Sequence, residues 1–117
     1  MQDFQNLRVW QRAHELSISV YRATERFPQE ERFGLSMQIR RAVVSIGSNL
    51  AEGCGRDGDA EFARFVRIAM GSAFEVHSQL LLARDLGYID VEPSVCLVNE
   101  LNEVKRMMNS LLTKLKP

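Results

Sequence analysis

Gln38, Arg41, Ser45, Asn49 and Glu52 recur at steps of three and four, a spacing that on a helix lines them up as one polar ribbon beside an apolar stripe. Glu61, Arg64, Gly71, Glu75 and Gln79 offer a counterpart further along the chain. The ribbon is built mostly of short side chains. Arginine dominates its cations, because of fifteen basic residues only Lys105, Lys114 and Lys116 are lysines. A guanidinium presents fixed, planar donors that suit carboxylate pairs and phosphate oxygens better than an ammonium does. Two chemistries follow. One is internal pairing, with Arg41 and Glu75 as the expected interhelical ion pair and Arg40 as the alternative partner. The other is phosphate contact, with Arg40, Arg41, Arg56, Arg64 and Arg67 as the candidate positions.

Other chemistry-bearing residues lack the partners their chemistry needs. A di-iron carboxylate site in a helical bundle requires Glu-x-x-His pairs, yet residue 11, three before His14, is glutamine and residue 74, three before His77, is phenylalanine. Gly53-Cys54-Gly55-Arg56-Asp57-Gly58 has the letters of a dinucleotide fingerprint, but both flanks read as helix rather than as strand and helix. These glycines are better explained as a helix stop and a loop needing positive φ, with Arg56 able to hold an anion weakly beside the next helix. Cys54 and Cys96 belong to no CxxC or Cys/His cluster. They are expected to be free thiols far apart, since a helix of about twenty residues spans about 30 Å and a disulfide needs Cα atoms within about 7 Å. No nucleophile elbow, P-loop or HExxH is present, so no catalytic residue, metal site or cofactor is expected.

The elements that carry these residues are helices. Val9, Ala13, Leu16, Val20, Ala23 and Phe27 form a stripe over residues 6–27, ended by Pro28. Leu7, Trp10, His14 and Tyr21 add a second stripe, more apolar surface than one neighbouring helix covers. Leu7, Trp10 and Tyr21 are therefore the candidate oligomer interface. Residues 34–53 carry Leu35, Ile39, Ala42, Ile46 and Leu50, with an interior Gly47 that predicts close approach of another backbone. Phe62, Phe65, Ala69, Ala73, Val76, Leu80 and Ala83 mark a helix over 59–86, stopped by Gly87. Leu97, Leu101, Val104, Met108, Leu111 and Leu115 mark another over 91–115, with Asp90 as N-cap. No stretch alternates with period two. The expected fold is all-α, one domain over 1–117, an antiparallel up-down-up-down four-helix bundle.

Composition agrees with that class and narrows function. The chain has 117 residues, 45% of them hydrophobic and 26% charged, which excludes a disordered tail and a membrane span. Fifteen basic residues balance fifteen acidic ones, so no uniform basic field exists and any basic patch is local. The segment MQDFQNLRVWQ has no basic stretch before an apolar run and no small-residue cleavage site, which predicts a cytoplasmic protein.

Phe4 and Leu7 before Val9-Trp10-Gln11, then Phe27-Pro28, Gly34-Leu35, Gln38-x-Arg40-Arg41-Ala42, Ser45-Ile46, Asn49-x-Ala51-Glu52-Gly53, Gly55-Arg56, Glu61-Phe62, Ile68-Ala69-x-Gly71-Ser72, Glu75 and Gln79-Leu80 follow one another in a recognisable order. Together they resemble the bacterial four-helix-bundle family of 23S rRNA intervening sequence proteins. The resemblance spans almost the whole chain, with Gly58 standing where that family usually places a serine cap. It implies a bundle assembled as a ring-shaped homopentamer. The family is also similar to the accessory protein of diversity-generating retroelements, a kinship that raises association with nucleic acid.

Two functional readings result. One is a non-enzymatic oligomeric scaffold that associates with RNA or DNA through the five arginines. The other is a protein-interaction module in which those arginines serve internal ion pairs. They are told apart by whether the arginines face solvent or carboxylates.

Overall fold

The computed structural model describes residues 3–115 as four α-helices: α1 (Arg8–Thr24), α2 (Leu35–Cys54), α3 (Asp59–Asp85) and α4 (Val91–Lys114). Each helix packs on two neighbours, α1 on α2 and α4, and α3 on α2 and α4. The arrangement is an all-α four-helix bundle with extents of 45 × 23 × 20 Å. Its core is the set of stripes read from the sequence. Leu16, Val20, Ile39, Ile46, Leu50, Val76, Leu80, Leu101, Val104 and Met108 are all but inaccessible.

The first helix, Arg8–Thr24, is shorter at both ends than the expected 6–27. Asp3 accepts from the Gln5 N–H at 3.0 Å and starts a separate 3-10 turn at Phe4–Asn6, after which Leu7 is extended and α1 begins at Arg8. At the other end α1 stops at Thr24, and Phe27 completes the core from the turn before Pro28. The residue before a proline is pushed out of helical geometry, so the stripe outlasts the helix.

The joints are specific. Gly34 opens α2 because Glu31 reaches over it: the Leu35 N–H donates to Glu31 Oε1 at 3.0 Å, and a Cβ on Gly34 would lie 2.6 Å from that oxygen. The Tyr88 hydroxyl donates to Glu31 Oε2 at 3.0 Å, fastening the α3–α4 turn to the start of α2. Gly58 has φ 81°, where a serine would be strained, so α3 begins without a side-chain cap. Gly87 has φ 79°, and the Tyr88 N–H donates to the Ala83 carbonyl while the Gly87 N–H donates to Arg84, a Schellman closure of α3.

Two glycine readings are corrected. Of the glycines in Gly53-Cys54-Gly55-Arg56-Asp57-Gly58 only Gly58 has positive φ, and Gly53 lies within α2, one residue before the helix ends at Cys54. A Cβ there would come within 2.9 Å of both Phe62 Cδ1 and Phe65 Cβ, so the missing side chain is what lets α3 close on α2. Gly47 does not meet another backbone; it faces the indole of Trp10, whose Nε1 would lie 3.5 Å from a Cβ placed there.

Candidate functional site

The polar ribbon of α2 divides into a packed centre and exposed ends. Ser45 and Ser72 hydroxyls hydrogen-bond at 2.8 Å across the α2–α3 seam, and Asn49 Nδ2 donates to the Ser45 carbonyl at 2.8 Å and to its hydroxyl at 3.0 Å. Short polar side chains here satisfy one another while the helices approach closely. Together with Gly53 against Phe62 and Phe65, the contact of Ser45 with Ser72 shows α2 and α3 running antiparallel.

The expected Arg41–Glu75 ion pair is not among the ion pairs of the described residues. Both side chains are exposed, and Glu75 Oε2 instead accepts from Gln79 Nε2 at 3.1 Å on its own helix. The register that puts Ser45 beside Ser72 makes the two positions nearly level. Outward projection, not distance along the axis, separates them.

The five candidate arginines meet different fates. Arg40 is an internal strut: its Nε donates to Thr24 Oγ1 at 2.8 Å, its Nη2 donates to the Tyr21 carbonyl at 3.1 Å, and its guanidinium lies 4.6 Å from the Tyr21 ring centre. That carbonyl, in the last turn of α1, also accepts from the Glu25 N–H at 3.2 Å and the Thr24 hydroxyl at 3.1 Å, so Arg40 adds a charged donor to an acceptor already in use. Arg56 pairs with Glu52 at 2.7 Å and Arg64 with Glu61 at 2.9 Å. Both guanidiniums also cover the ring of Phe65, at 5.1 and 4.6 Å. Arg41 and Arg67 alone of the five are exposed and make no ion pair among the described residues.

The candidate interface residues are likewise split. Trp10 is half-buried, edge-on to Phe4 and stacked on His14, each at 4.9 Å between ring centres, and Leu7 packs on the core beside it. Phe4 and the Gly47 face of α2 thus cover most of the surface that looked surplus. Tyr21 stays 42% exposed. Near it Ile18, Met37 and Val44 are exposed on α1 and α2, and Val44 lines a groove of about 320 Å³ with Trp10, His14 and Ala51. Apolar side chains are also exposed on the other helix pair: Ile68, Phe74, Leu81 and Leu82 on α3, Leu86 just after it, and Val91 and Val95 on α4.

Lys105 Nζ donates to His77 Nδ1 at 2.9 Å and sits 4.2 Å from the ring centre of Phe74. Burial, followed by the charge of Lys105, holds the His77 imidazole below its ordinary pKa, and burial lowers that of Lys105. Cys54 is buried, which pushes its thiol pKa up, and Cys96 is exposed; both are free. Among the described residues no three His, Cys, Asp or Glu side chains converge as metal ligands, and no helix is long and apolar enough to cross a membrane.

One pair of cleft-lining side chains was not singled out in the sequence. Arg22 lies in the last turn of α1 and Arg26 in the turn that follows the helix; both line a cleft shared with the turn into α4, with no ion pair among the described residues. The available signal was two arginines at i and i+4 without a carboxylate at residue 18 or 19.

The family model described as 23S rRNA-intervening sequence protein matches residues 5–110. A solved structure of a protein of unknown function from the S23 ribosomal protein family of Bacteroides thetaiotaomicron VPI-5482 superposes with a TM-score of 0.85 at 24% identity, covering 96% of this chain and 99% of that one. That likeness shows the shared fold. No curated protein of known function matches the chain.

Proposed function

Because this chain belongs to the 23S rRNA-intervening sequence protein family, whose similar structure is itself of unknown function, we propose that it is a non-enzymatic scaffold that works by self-association. The observation that carries this reading is the exposure of large apolar side chains on two different helix pairs, among them Tyr21 and Val44 on α1 and α2 and Phe74 and Leu82 on α3. A two-fold dimer uses one patch twice, whereas two unlike patches suit head-to-tail contact, which closes into a ring when the rotation allows. Five subunits is the number the family resemblance implies. Light scattering at micromolar concentration is expected to give the mass of a pentamer, and Val44→Glu or Leu82→Glu to give monomer. A monomeric mass for the unaltered chain would sink the proposal.

Association with RNA or DNA is the second reading, supported by the exposed, unpaired Arg41 and Arg67. Repetition around a ring would let a nearly neutral protomer engage several phosphates at once. Titration of labelled RNA and duplex DNA is then expected to show weak binding that falls steeply with salt and drops further in Arg41→Ala, Arg67→Ala. Absence of binding at low salt would leave a protein-interaction scaffold with Arg40, Arg56 and Arg64 in structural contacts.

A further inference from the structure

The cleft beside Arg22 and Arg26 has the makings of a ligand site that neither reading above uses. Its volume is about 310 Å³, at the small end of ligand pockets. Arg22, Ala23 and Arg26 line it from the end of α1 and the turn after it, and Tyr88, Ile89, Asp90 and Pro93 line it from the α3–α4 turn and the start of α4. Like charges held near one another repel unless an acid offsets them. Glu25, the carboxylate between them in sequence, lines a different cleft with Phe27, Arg32 and Arg40. Neither Arg22 nor Arg26 makes an ion pair or a side-chain hydrogen bond among the described residues, whereas Arg12, Arg56, Arg64 and Arg84 all hold carboxylates. Two unneutralised planar cations lining one concavity match the donor pattern that a phosphate oxyanion accepts.

The residues of the α3–α4 turn and α4 restrict what the anion can be attached to. Tyr88 is held in place, its hydroxyl on Glu31 and its ring 5.7 Å from that of Phe27, so it presents a fixed side to the cleft. Ile89 and Pro93 add apolar surface. Asp90 is the single carboxylate lining the cleft, and its side chain makes no capping hydrogen bond to α4. It repels a bare inorganic anion but accepts hydrogen bonds from hydroxyls. From this set we infer that the cleft binds a phosphate monoester whose organic part is hydroxylated and partly apolar, the chemistry of a nucleoside 5′-monophosphate. The same group occurs free in solution and at the phosphorylated end of a nucleic-acid strand. Arg22 and Arg26 hold the phosphoryl oxygens, Asp90 accepts from a ligand hydroxyl, and Ile89 and Pro93 contact the apolar part.

The test is calorimetric titration of the full chain, at low salt, with adenosine 5′-monophosphate, adenosine, inorganic phosphate, and a short oligonucleotide with and without a 5′-phosphate. The monophosphate is expected to bind saturably, more tightly than inorganic phosphate by about tenfold, with no saturable binding of adenosine. Arg22→Gln, Arg26→Gln is expected to weaken it by at least about tenfold, and Arg22→Lys, Arg26→Lys to retain part of the affinity. Asp90→Asn is expected to narrow the gap between monophosphate and inorganic phosphate. Binding of the phosphorylated oligonucleotide in preference to the free monophosphate assigns the site to strand ends; the reverse assigns it to a free ligand. No saturable binding of either, equal binding of adenosine, or unchanged affinity in the folded Arg22→Gln, Arg26→Gln protein would overturn the inference. Because ring assembly uses none of these side chains, a monomeric mass in light scattering leaves this result independent.

Discussion

The two ends of α2 carry arginines and use them in opposite ways. At its C-terminal end Arg56, in the loop after α2, and Arg64, on α3, cover one buried ring, Phe65, and each is balanced by a carboxylate close in sequence, Glu52 or Glu61. At its N-terminal end Arg40 is drawn into the last turn of α1, while Arg22 and Arg26 border an open cleft and are balanced by nothing within pairing distance among the described residues. The first end is closed by packing: Gly53 admits Phe62 and Phe65, and the arginines lie over the result. The second is closed by hydrogen bonds through Glu31, Tyr88, Thr24 and Arg40, which fix the turns without filling the space between them. Charge is thus spent on structure where the helices meet tightly and stays available where they part.

The largest expected effect is at the closed end. Phe65→Ala removes a buried ring and the platform for both arginines, and is expected to cost about 3–5 kcal/mol in urea unfolding, the range for a large aromatic truncated in a core. Gly53→Ala follows. Its Cβ would have to displace Phe62 Cδ1 and Phe65 Cβ, an overpacking cost of about 1–3 kcal/mol. Gly47→Ala is the control within the same helix: its Cβ would meet Trp10 at ordinary contact distance, and the alanine is expected to gain up to about 1 kcal/mol from helix propensity. A loss at Gly47 equal to that at Gly53 would show that both seams are equally tight, contrary to the geometry. At the other end Arg40→Gln is expected to cost about 1 kcal/mol, because Thr24 still has the Val20 carbonyl at 2.9 Å as a partner.

These contrasts were unequally legible in the sequence. The stripe from Phe62 to Ala83 is buried at every position read, as are Leu35, Ile39, Ala42, Ile46 and Leu50, because helical periodicity is a local property that a single element dictates. The second stripe of α1 was legible as apolar but not as covered, since its cover is Phe4 in a turn and a glycine thirty-seven residues after Trp10. Arginine partners were least legible. Arg40 reaches Thr24 across an interhelical gap sixteen residues wide in sequence, whereas Arg56 and Arg64 find acids only four and three residues away. A ribbon at helical spacing says which residues share a face; the neighbouring helix decides whether that face is a seam, as at Ser45 and Asn49, or a rim, as at Arg41.

The smallest effect on stability is expected at the open end, and its sign is informative. Arg22→Gln, Arg26→Gln removes two like charges that line one cleft without deleting an ion pair, so relief of repulsion is expected to leave stability unchanged or raise it by about 0.2–0.5 kcal/mol. The helix C-terminus opposes this slightly, since cations in the last turn of α1 interact favourably with its dipole, and Arg22 lies in that turn. Added salt separates the two terms from packing: repulsion between exposed charges is screened within about 10 Å at 0.1 M, so any gain should shrink as salt rises. A gain that persists in high salt would point to packing, and a loss above about 1 kcal/mol would mean that one of the arginines has a structural partner and that the two ends of α2 differ less than their contacts indicate.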